Sequence, residues 1–438
     1  MATYLSRSLA TNNSGKMTLS YWIKRGKLGE QAIFRSYYNN NIFGAVQFNG
    51  DNKLYLYDYR NAYDLNLLTS MRFLDTSAWY HVVQNFDSTT SPTTAKIYVN
   101  GVEQALDNNT LYSQGATSSW LQNYTFYIGQ GAGLGSVDFE GCLSDVYFIQ
   151  GQCYDASTFG SFDSNGVWKP NTSPTIDYSS TGSNSFHLKF ENSSNIALDS
   201  GDNNVSFTKT GDLTQTIDTP SNVFCTMNRS TVTNGYTTLS NANLRHRSSA
   251  PANWLGVLST YAVNRGKWYA EVKVLDNLNV SFGIGTYNST TQYNMNTSNL
   301  GNLGRYSDSW GLVNNGGSVY FSGNSTNVAT SATVANNSIW GIAFDADNGK
   351  IYFSKNGSWV DCDPSTGTSN FTSVTSTLPL AFMSGLEDGE VAWNFGQGYF
   401  STTAVASGNQ DDNGQGIFEY APPTGYYALC TKNLATYG

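Results

Sequence analysis

Charged residues are scarce in this chain of 438 residues: Asp, Glu, Lys and Arg together account for 13% of it, against about 25% in ordinary domains. The formal net charge is −9, so the sequence lacks the basic footprint of a protein that binds nucleic acid or an anionic membrane. It also lacks an apolar run long enough to cross a membrane. The first residues, 1–7, have no apolar core typical of a signal peptide. We therefore expect cytoplasmic synthesis without a signal peptide, no nucleic-acid partner and no membrane insertion.

Residues suited to cross-linking, metal binding and acid–base catalysis are also few. The five cysteines form no CxxC pair, which favours free buried thiols over disulfides or a zinc site. The three histidines are interpreted as a packed or rim side chain (His81), a surface residue (His187) and a loop residue (His246). No nucleophile elbow, HExxH motif or P-loop occurs. The sequence thus predicts a protein that is not an enzyme and carries no catalytic residues.

Two acidic segments are the nearest candidates for catalysis or metal binding. Glu387, Asp388 and Glu390 are the nearest match to the paired carboxylates of a glycoside hydrolase, but their Gly-Leu-Glu-Asp-Gly-Glu context favours a turn. Asp345 and Asp347 resemble the start of a calcium loop, although the later bidentate Glu is missing. A hairpin turn explains them better. We therefore expect no metal site and no cofactor.

The chain is rich instead in the residues of short strands and turns, with 42 Gly, 29 Tyr and 14% aromatics. Residues 340–357 contain two runs of alternating apolar residues around Asn348-Gly349, which is a strong hairpin signal. Residues 79–101 carry the same features in the same order: Trp, Phe-Asp, Lys-Ile-Tyr and Asn-Gly. The sequence predicts an all-β protein of two antiparallel β-sandwiches in tandem, each built around one such hairpin.

The first 160 residues contain an ordered series of further motifs: the strand with Trp22, Trp79-Tyr-His-Val-Val, Lys96-Ile-Tyr-Val-Asn-Gly, Ile128-Gly129 and Phe139-x-Gly-x-Leu-Ser-Asp-Val. With these motifs, residues 1–160 resemble a laminin-G-like (concanavalin-A-like) jelly roll. Some members of that family bind calcium at a rim carboxylate, but no calcium-ligand cluster stands out here, so that site is not carried over. Residues 161–225 are interpreted as a connector that adds one or more strands to the first sandwich.

A different pattern begins at residue 226. The run Gly266-Lys-Trp-Tyr-x-Glu-Val, the hairpin 340–357 and Asn394-Phe-Gly resemble a SPRY domain, which gives a second jelly-roll sandwich over residues 226–438. The resemblance implies partner binding through loops at one end, here within 287–293, 306–310 and 359–363. Because that family mostly recognises peptides, this end is expected to bind protein.

The two sandwiches are joined by a linker containing Phe162-Asp-Ser-Asn-Gly-Val-Trp-Lys-Pro. This arrangement resembles virion structural proteins of tailed bacteriophages. The resemblance implies a place on the virion surface, contacts with other virion proteins and a homo-oligomer, with a trimer as the form common in phage appendages. The leading hypothesis is a non-enzymatic fibre, spike or tail-tip component that binds a host surface glycan or protein. The alternatives are a capsid decoration or connector protein and a polysaccharide-degrading enzyme.

Aromatic residues are the candidate ligand-binding residues, because Tyr and Trp supply stiff stacking area with a polar edge. In Leu54–Tyr59 two leucines alternate with three tyrosines, which predicts leucines in the core and tyrosines on the opposite face. For each ring, packing in the core or in a subunit contact remains the alternative. The candidates are Tyr37, Tyr38, Tyr55, Tyr57, Tyr59, Tyr63, Trp120 and Tyr124 in the first sandwich, and Tyr306 and Trp359 in the second.

Overall fold

The fold is that of two compact units, residues 1–215 and 216–438. The computed structural model describes residues 3–133, 135, 137–178, 184–232, 235–250, 253–286, 303–304, 308–323, 325–369 and 373–438. Nearly all regular structure in them is β-strand, and the strands pair antiparallel with the exception of one short parallel pair. The predicted all-β class with two antiparallel sandwiches is confirmed.

Unit 1 forms its strands where apolar and polar residues alternate and ends them at Gly, Asn and Asp turns. Its described strands are β1 (Tyr4–Ser8), β2 (Lys16–Arg25), β3 (Gln31–Asn39), β4 (Ile42–Phe48), β5 (Lys53–Arg60), β6 (Tyr63–Arg72), β7 (Trp79–Asp87), β8 (Thr94–Val99), β9 (Val102–Glu103), β10 (Leu106–Thr110), β11 (Thr125–Ile128), β12 (Gly141–Gln150), β13 (Gly160–Phe162), β14 (Trp168–Pro170), β15 (Phe186–Leu188) and β16 (Thr208–Thr210).

Fourteen of these strands form two large sheets that pack face to face, and β13 and β14 form a separate hairpin. One has eight strands in the order β10-β6-β5-β4-β3-β11-β1-β16, and the other has six in the order β15-β12-β2-β7-β8-β9. The core lies between them and includes Leu19 and Ile23 of β2, Leu56 of β5 and Phe126 of β11. Segment 161–215 belongs to this unit, because β15 pairs with β12 and β16 pairs with β1.

Unit 2 is built in the same way, and its described residues include one short helix near the end of the chain. Its described elements are β17 (Thr237–Ser240), β18 (Arg245–Ser248), β19 (Leu255–Val263), β20 (Lys267–Asp276), β21 (Asn279–Thr286), β22 (Ser309–Asn315), β23 (Ser318–Gly323), β24 (Thr326–Ala329), β25 (Ile339–Asp345), β26 (Lys350–Lys355), β27 (Ser358–Trp359), β28 (Leu380–Leu386), β29 (Glu390–Asn394), β30 (Tyr399–Phe400), β31 (Thr403–Ala404), β32 (Tyr427–Ala428) and α1 (Thr431–Tyr437).

The two units share one strand order. The hairpin sheet runs β12-β2-β7-β8-β9 in unit 1 and β29-β20-β25-β26-β27 in unit 2. The opposing sheet runs β1-β11-β3-β4-β5-β6 in unit 1 and β19-β28-β21-β22-β23-β24 in unit 2. The similarity between residues 79–101 and 340–357 is therefore accompanied by a repeat of the whole sandwich topology.

Both hairpins end in the same hydrogen-bonded pair. Asn100 N donates to His81 O and His81 N donates back to Asn100 Oδ1, each at 2.8 Å. In unit 2, Asn356 N donates to Ile339 O at 2.7 Å and Ile339 N donates to Asn356 Oδ1 at 2.9 Å. Both asparagines have φ of 48°, a conformation that Asn tolerates better than most residues. The side-chain amide thus fixes the end of the second strand in each hairpin.

An aromatic ring from a later segment covers the glycine that follows each of these asparagines. A Cβ on Gly101 would lie 2.2 Å from the Trp168 ring, and a Cβ on Gly357 would lie 2.6 Å from the Tyr420 ring. The two rings belong to segments that pack on the outer face of the hairpin sheet, meaning the face turned away from the sandwich core. In both units the chain itself therefore buries this outer face, so the outer face of the opposing sheet is the one to examine for a ligand.

Candidate ligand-binding face

The outer face of the eight-stranded sheet in unit 1 carries a group of aromatic side chains. On β5, Leu54 and Leu56 are fully buried in the core, and the tyrosines between and after them lie on the opposite face, as the alternation predicts. Neighbouring strands β3, β4 and β6 add further rings to that face. We call this surface the aromatic face, and its members are Tyr37, Phe43, Tyr55, Tyr57, Tyr59 and Tyr63.

Five of the six rings of the aromatic face are in mutual contact, and Tyr37 is the exception. Tyr63 contacts three others, with centroid distances of 6.4 Å to Tyr55, 5.8 Å to Tyr57 and 5.3 Å to Tyr59. Phe43 lies 5.8 Å from Tyr57 and 5.6 Å from Tyr59, and Tyr55 lies 4.3 Å from Tyr57. Such spacings are typical of aromatic pairs that pack favourably. The face is therefore a preformed, stiff surface, which loses little conformational freedom when it binds a ligand.

Exposure differs between members of the face and decides what each can do. Tyr63 is 48% exposed, while Tyr57 is 5% and Phe43 is 8% exposed. Tyr37, Tyr55 and Tyr59 are half-buried. The Tyr57 hydroxyl donates to Gln47 Oε1 at 2.9 Å. Tyr57 lies on the predicted side of the sheet, but its neighbours cover it, so it supports the face and is not itself available for stacking.

Arg35 lies within the aromatic face and was not among the sequence candidates. In the sheet register it stands beside Ala45, which stands beside Tyr57. Its Cζ lies 4.1 Å from the centroid of Phe43 and 5.2 Å from that of Tyr37, so two rings flank the guanidinium in cation–π contacts. Burial lowers the pKa of Arg35. The signal that could have found it is its position two residues before Tyr37 on one strand.

Two further candidates, Tyr38 and Tyr124, form a separate stacked pair. Their centroids are 5.1 Å apart with an interplanar angle of 29°, and Tyr38 is 61% exposed. They lie at the ends of β3 and β11, next to the paired residues Tyr37 and Thr125. The pair offers an accessible ring at the end of these two strands, on the opposite side of the sheet from the aromatic face.

Trp120 is not part of any accessible surface, so its selection as a ligand-binding residue is wrong. Its side chain is fully buried in the core, where a Cβ on Gly44 would lie 2.5 Å from the indole. The short 3-10 turn that carries it is fixed by buried Asp58, whose Oδ2 accepts hydrogen bonds from Ser119 N and Tyr112 Oη, both at 2.7 Å. This anchor turns the indole inward, and residues 58 and 119 are too far apart in sequence for a local pattern to show it.

The described residues do not bring the candidates of the second sandwich together in one site. Tyr306 and the loop 287–293 lie outside the described residues. Trp359 is on β27 and is half-buried against a cluster that includes Tyr352 and Tyr269. Trp359 is therefore part of the packing of the outer face of the hairpin sheet in unit 2, with only part of its ring accessible.

The corresponding outer face in unit 2 differs from the aromatic face in the side chains that line it. Small residues occupy it, including Gly285 and Gly311, and Leu303 packs on it together with Ala381 and Met383. A Cβ on Gly311 would lie 2.9 Å from Leu303 Cβ. Since the same face is covered by the chain in unit 2 and lined with rings in unit 1, the aromatic face is the better candidate for ligand binding.

His81 is buried, as predicted, and its contacts do not match those of a catalytic base. Its Nε2 lies 3.0 Å from Ser20 Oγ, and Trp168 Nε1 lies 3.1 Å from its Nδ1. An indole N–H can only donate, so Nδ1 accepts and Nε2 carries the proton and donates to Ser20. Burial lowers the pKa of His81 to about 3. A neutral imidazole in this tautomer cannot take a proton from the serine.

The predictions for the other two histidines are wrong. His187 is 6% exposed, because β15 pairs with β12 and brings its ring 3.7 Å from Tyr147 in a stack. His246 lies in β18 and not in a loop, fully buried, with Nδ1 2.8 Å from Ser384 Oγ. Burial lowers the pKa of His246 to about 3. Both side chains are structural.

Glu387 and Asp388 lie in the turn between β28 and β29, as the sequence favours, and Glu390 is the first residue of β29. Glu390 is held by Arg245 and, at 3.8 Å, by Arg247, and burial raises the pKa of Glu387. In the described parts of the chain, no group of three or more His, Cys, Asp or Glu side chains is placed to hold a metal ion. Among the described helices, none is long and apolar enough to span a membrane.

Comparison with known families identifies the two sandwiches. Residues 2–152 match Laminin_G_3, described as the concanavalin A-like lectin/glucanases superfamily, and residues 267–397 match the SPRY domain. The chain therefore contains a concanavalin A-like domain followed by a SPRY domain. Both are binding-type folds, which suggests a binding or protein-interaction role.

Three solved structures are among those similar to part of the chain. The TRIM65 PSpry domain shares 17% identity, covering 39% of this chain and 91% of its own, with a TM-score of 0.29. The stonustoxin structure shares 15% identity, covering 39% and 27%, with a TM-score of 0.29. The SPRY domain of human HERC1 shares 11% identity, covering 36% and 91%, with a TM-score of 0.27. No curated protein matches this chain.

Proposed function

We propose that this protein is a non-enzymatic binding protein that holds a surface glycan on the aromatic face of its first sandwich. The observation that carries this proposal is the contiguous set of rings on β3 to β6, with Tyr63 about half exposed. Sugar rings present C–H-rich faces that stack on flat aromatic surfaces, while phenol hydroxyls bond sugar hydroxyls. Tyr55, Tyr59 and Tyr63 offer both kinds of contact in one place.

A binding role without turnover fits the polar groups of the described residues. A retaining glycosidase needs two carboxyl groups about 5–5.5 Å apart and free to act. The most suggestive carboxylate, Glu390, is instead paired with two arginines. The serine–histidine contact at Ser20 and His81 is buried and has the wrong tautomer for proton abstraction.

The proposed biological setting is the surface of a tailed-phage virion, as a fibre, spike or tail-tip component that binds a host surface glycan or protein. Its support is the order of the two domains together with the linker Phe162–Pro170, which resembles such proteins. In that setting the neighbours are other virion proteins and the protein is a homo-oligomer, with a trimer as the expected form.

An adsorption competition tests this function directly. Saturating purified protein should reduce phage adsorption to host cells, and Tyr63→Ala should weaken that competition because it removes the most exposed ring of the face. Tyr236→Ala is the matched control, since this tyrosine is 58% exposed but lies in unit 2. If wild-type protein leaves adsorption unchanged, or if both variants behave alike, the proposed role of the aromatic face is refuted.

A structural role as a capsid decoration or connector protein is the second candidate. It is favoured by an exposed apolar patch on the β13–β14 hairpin, where Phe162 is 51% and Val167 is 49% exposed beside Trp168. Patches of this kind suit contacts between subunits. Electron microscopy of the particle distinguishes the two: a shell-lattice position with the aromatic face buried would favour the structural role.

A further inference from the structure

Within the aromatic face, Arg35 is a charged group with unmet binding capacity. Its side chain is 1% exposed, and its Nε and Nη1 atoms have no hydrogen-bond partner among the described residues. Buried charges in proteins are normally paired or fully hydrogen-bonded, because an unpaired one is costly. The contacts with Phe43 and Tyr37 cover the faces of the guanidinium but leave the N–H groups of Nε and Nη1 without a hydrogen-bond acceptor among the described residues.

No carboxylate of the described chain fills this role. The acidic residue associated with this face is Glu30, and its Oε1 accepts from Gln47 Nε2 at 3.1 Å. Gln47 in turn accepts from Tyr57. That chain of hydrogen bonds is complete without Arg35, so the guanidinium donors are available to a group from outside the protein.

Resting on the proposed glycan-binding function, we infer that the ligand of the aromatic face is an acidic sugar whose anionic substituent pairs with Arg35. A carboxylate or sulfate presents oxygens that match the planar, forked donors of a guanidinium. The surrounding rings would stack on the sugar while the Arg35 guanidinium forms an ion pair with its anionic substituent. This arrangement makes Arg35 the residue that determines specificity on an otherwise neutral surface.

Access to Arg35 requires the Tyr37 ring to move. That ring lies 5.2 Å from the guanidinium and is half-buried. Its hydroxyl donates to Asn40 Oδ1 at 2.8 Å, in an exposed position. Changes of side-chain rotamer at a binding surface are common. Rotation of Tyr37 would uncover the donors of Arg35 at the cost of one exposed hydrogen bond and of the cation–π contact between Tyr37 and Arg35.

The net charge of the protein makes the inference selective. With −9 overall, non-specific attraction to a polyanion is disfavoured. Any preference for an acidic polymer over a neutral one must therefore come from a local positive group, and Arg35 is such a group, held in this face between Phe43 and Tyr37.

The test compares binding of the full chain to polygalacturonate, dextran sulfate and dextran by calorimetry at physiological salt. Wild-type protein should bind at least one acidic polymer roughly 10- to 100-fold more tightly than dextran, the range expected for hydrogen bonds to a charged group. Which acidic polymer binds more tightly identifies the substituent as carboxylate or sulfate. Arg35→Met should remove this preference and leave dextran binding unchanged.

Arg72→Met is the control for the loss of one positive charge, because Arg72 is 57% exposed at the end of β6. It should keep the preference. An equal affinity of wild-type protein for acidic and neutral polymers overturns the inference, even if Arg35→Met fails to fold. A preference for acidic polymers that survives in folded Arg35→Met also overturns it. A third outcome separates the two proposals. If wild-type protein binds dextran and the acidic polymers equally, and Tyr63→Ala loses dextran binding, the role of Arg35 is refuted while the proposed function stands. Binding of none of the polymers would refute the acidic ligand, while the adsorption competition judges the proposed function separately.

Discussion

We expect Glu271 of β20 to make the stability of unit 2 depend on pH. Its carboxylate is fully buried and accepts hydrogen bonds from Tyr420 N at 2.8 Å, Glu419 N at 2.9 Å, Asn394 Nδ2 at 3.1 Å and Tyr269 Oη at 3.3 Å. Burial raises its pKa from 4.5 to about 7, against the opposing effect of these hydrogen bonds. The residue thus ties the segment that ends in Tyr420 to the hairpin sheet.

The sign of the pH dependence follows from linkage. Between pH 4.5 and about 7 the folded state holds a proton on Glu271 that the unfolded state has lost. Unfolding therefore becomes easier as pH rises through this window. The difference in pKa corresponds to about 3 kcal/mol of unfolding free energy, which is present below pH 4.5, lost progressively up to about 7 and absent above it.

Urea unfolding of the full chain between pH 4 and 8 measures this effect, and hydrogen exchange of peptides from β20 assigns the transition to unit 2. Glu271→Gln cannot ionise at this position. Its unfolding free energy should therefore fall less steeply with pH than that of wild-type protein between pH 4.5 and 7, by up to the slope that corresponds to one proton. In either orientation the amide also turns its NH2 group toward a backbone N–H donor, that of Glu419 or that of Tyr420, which should cost about 1–3 kcal/mol at pH 5.

Glu191→Gln controls for the loss of a carboxylate, since Glu191 is 68% exposed in unit 1. If Glu271→Gln and wild-type protein show the same slope between pH 4.5 and 7, burial of Glu271 does not shift its titration and the reasoning fails.

Two further predictions concern the hairpin of unit 1 and the absence of turnover. Gly101→Ala should lower the unfolding free energy of unit 1 by about 2–4 kcal/mol, because Gly101 has a φ of 80° and an added Cβ would clash with Trp168. Gly115→Ala is the control: with φ of 74° and open space around it, this change should cost only about 1–2 kcal/mol. Equal unfolding midpoints of the two variants would contradict the prediction. Host polysaccharide incubated with wild-type protein should release no reducing sugar, and release that disappears in Glu387→Ala or Glu390→Ala would establish an enzyme instead.

Local sequence pattern was sufficient for the strands, the hairpins and one side of the candidate site. Alternation along β5 places Leu54 and Leu56 opposite Tyr55 and Tyr59, because neighbouring residues of a strand point to opposite faces. The Asn-Gly turns are equally local, since they depend on which residues tolerate positive φ. These properties belong to a few adjacent residues and need no knowledge of the rest of the fold.

Local sequence pattern could not show which faces of the sheets remain exposed to solvent. Glu419 contributes its backbone to Glu271 from 148 positions away, and Ser119 fixes Asp58 from 61 positions away. Contacts of this kind bury His246 and Trp120 and leave Tyr63 accessible. They arise when distant segments pack over a sheet, so the chemistry of each residue is readable from its type, while its exposure depends on which part of the chain lies on top of it.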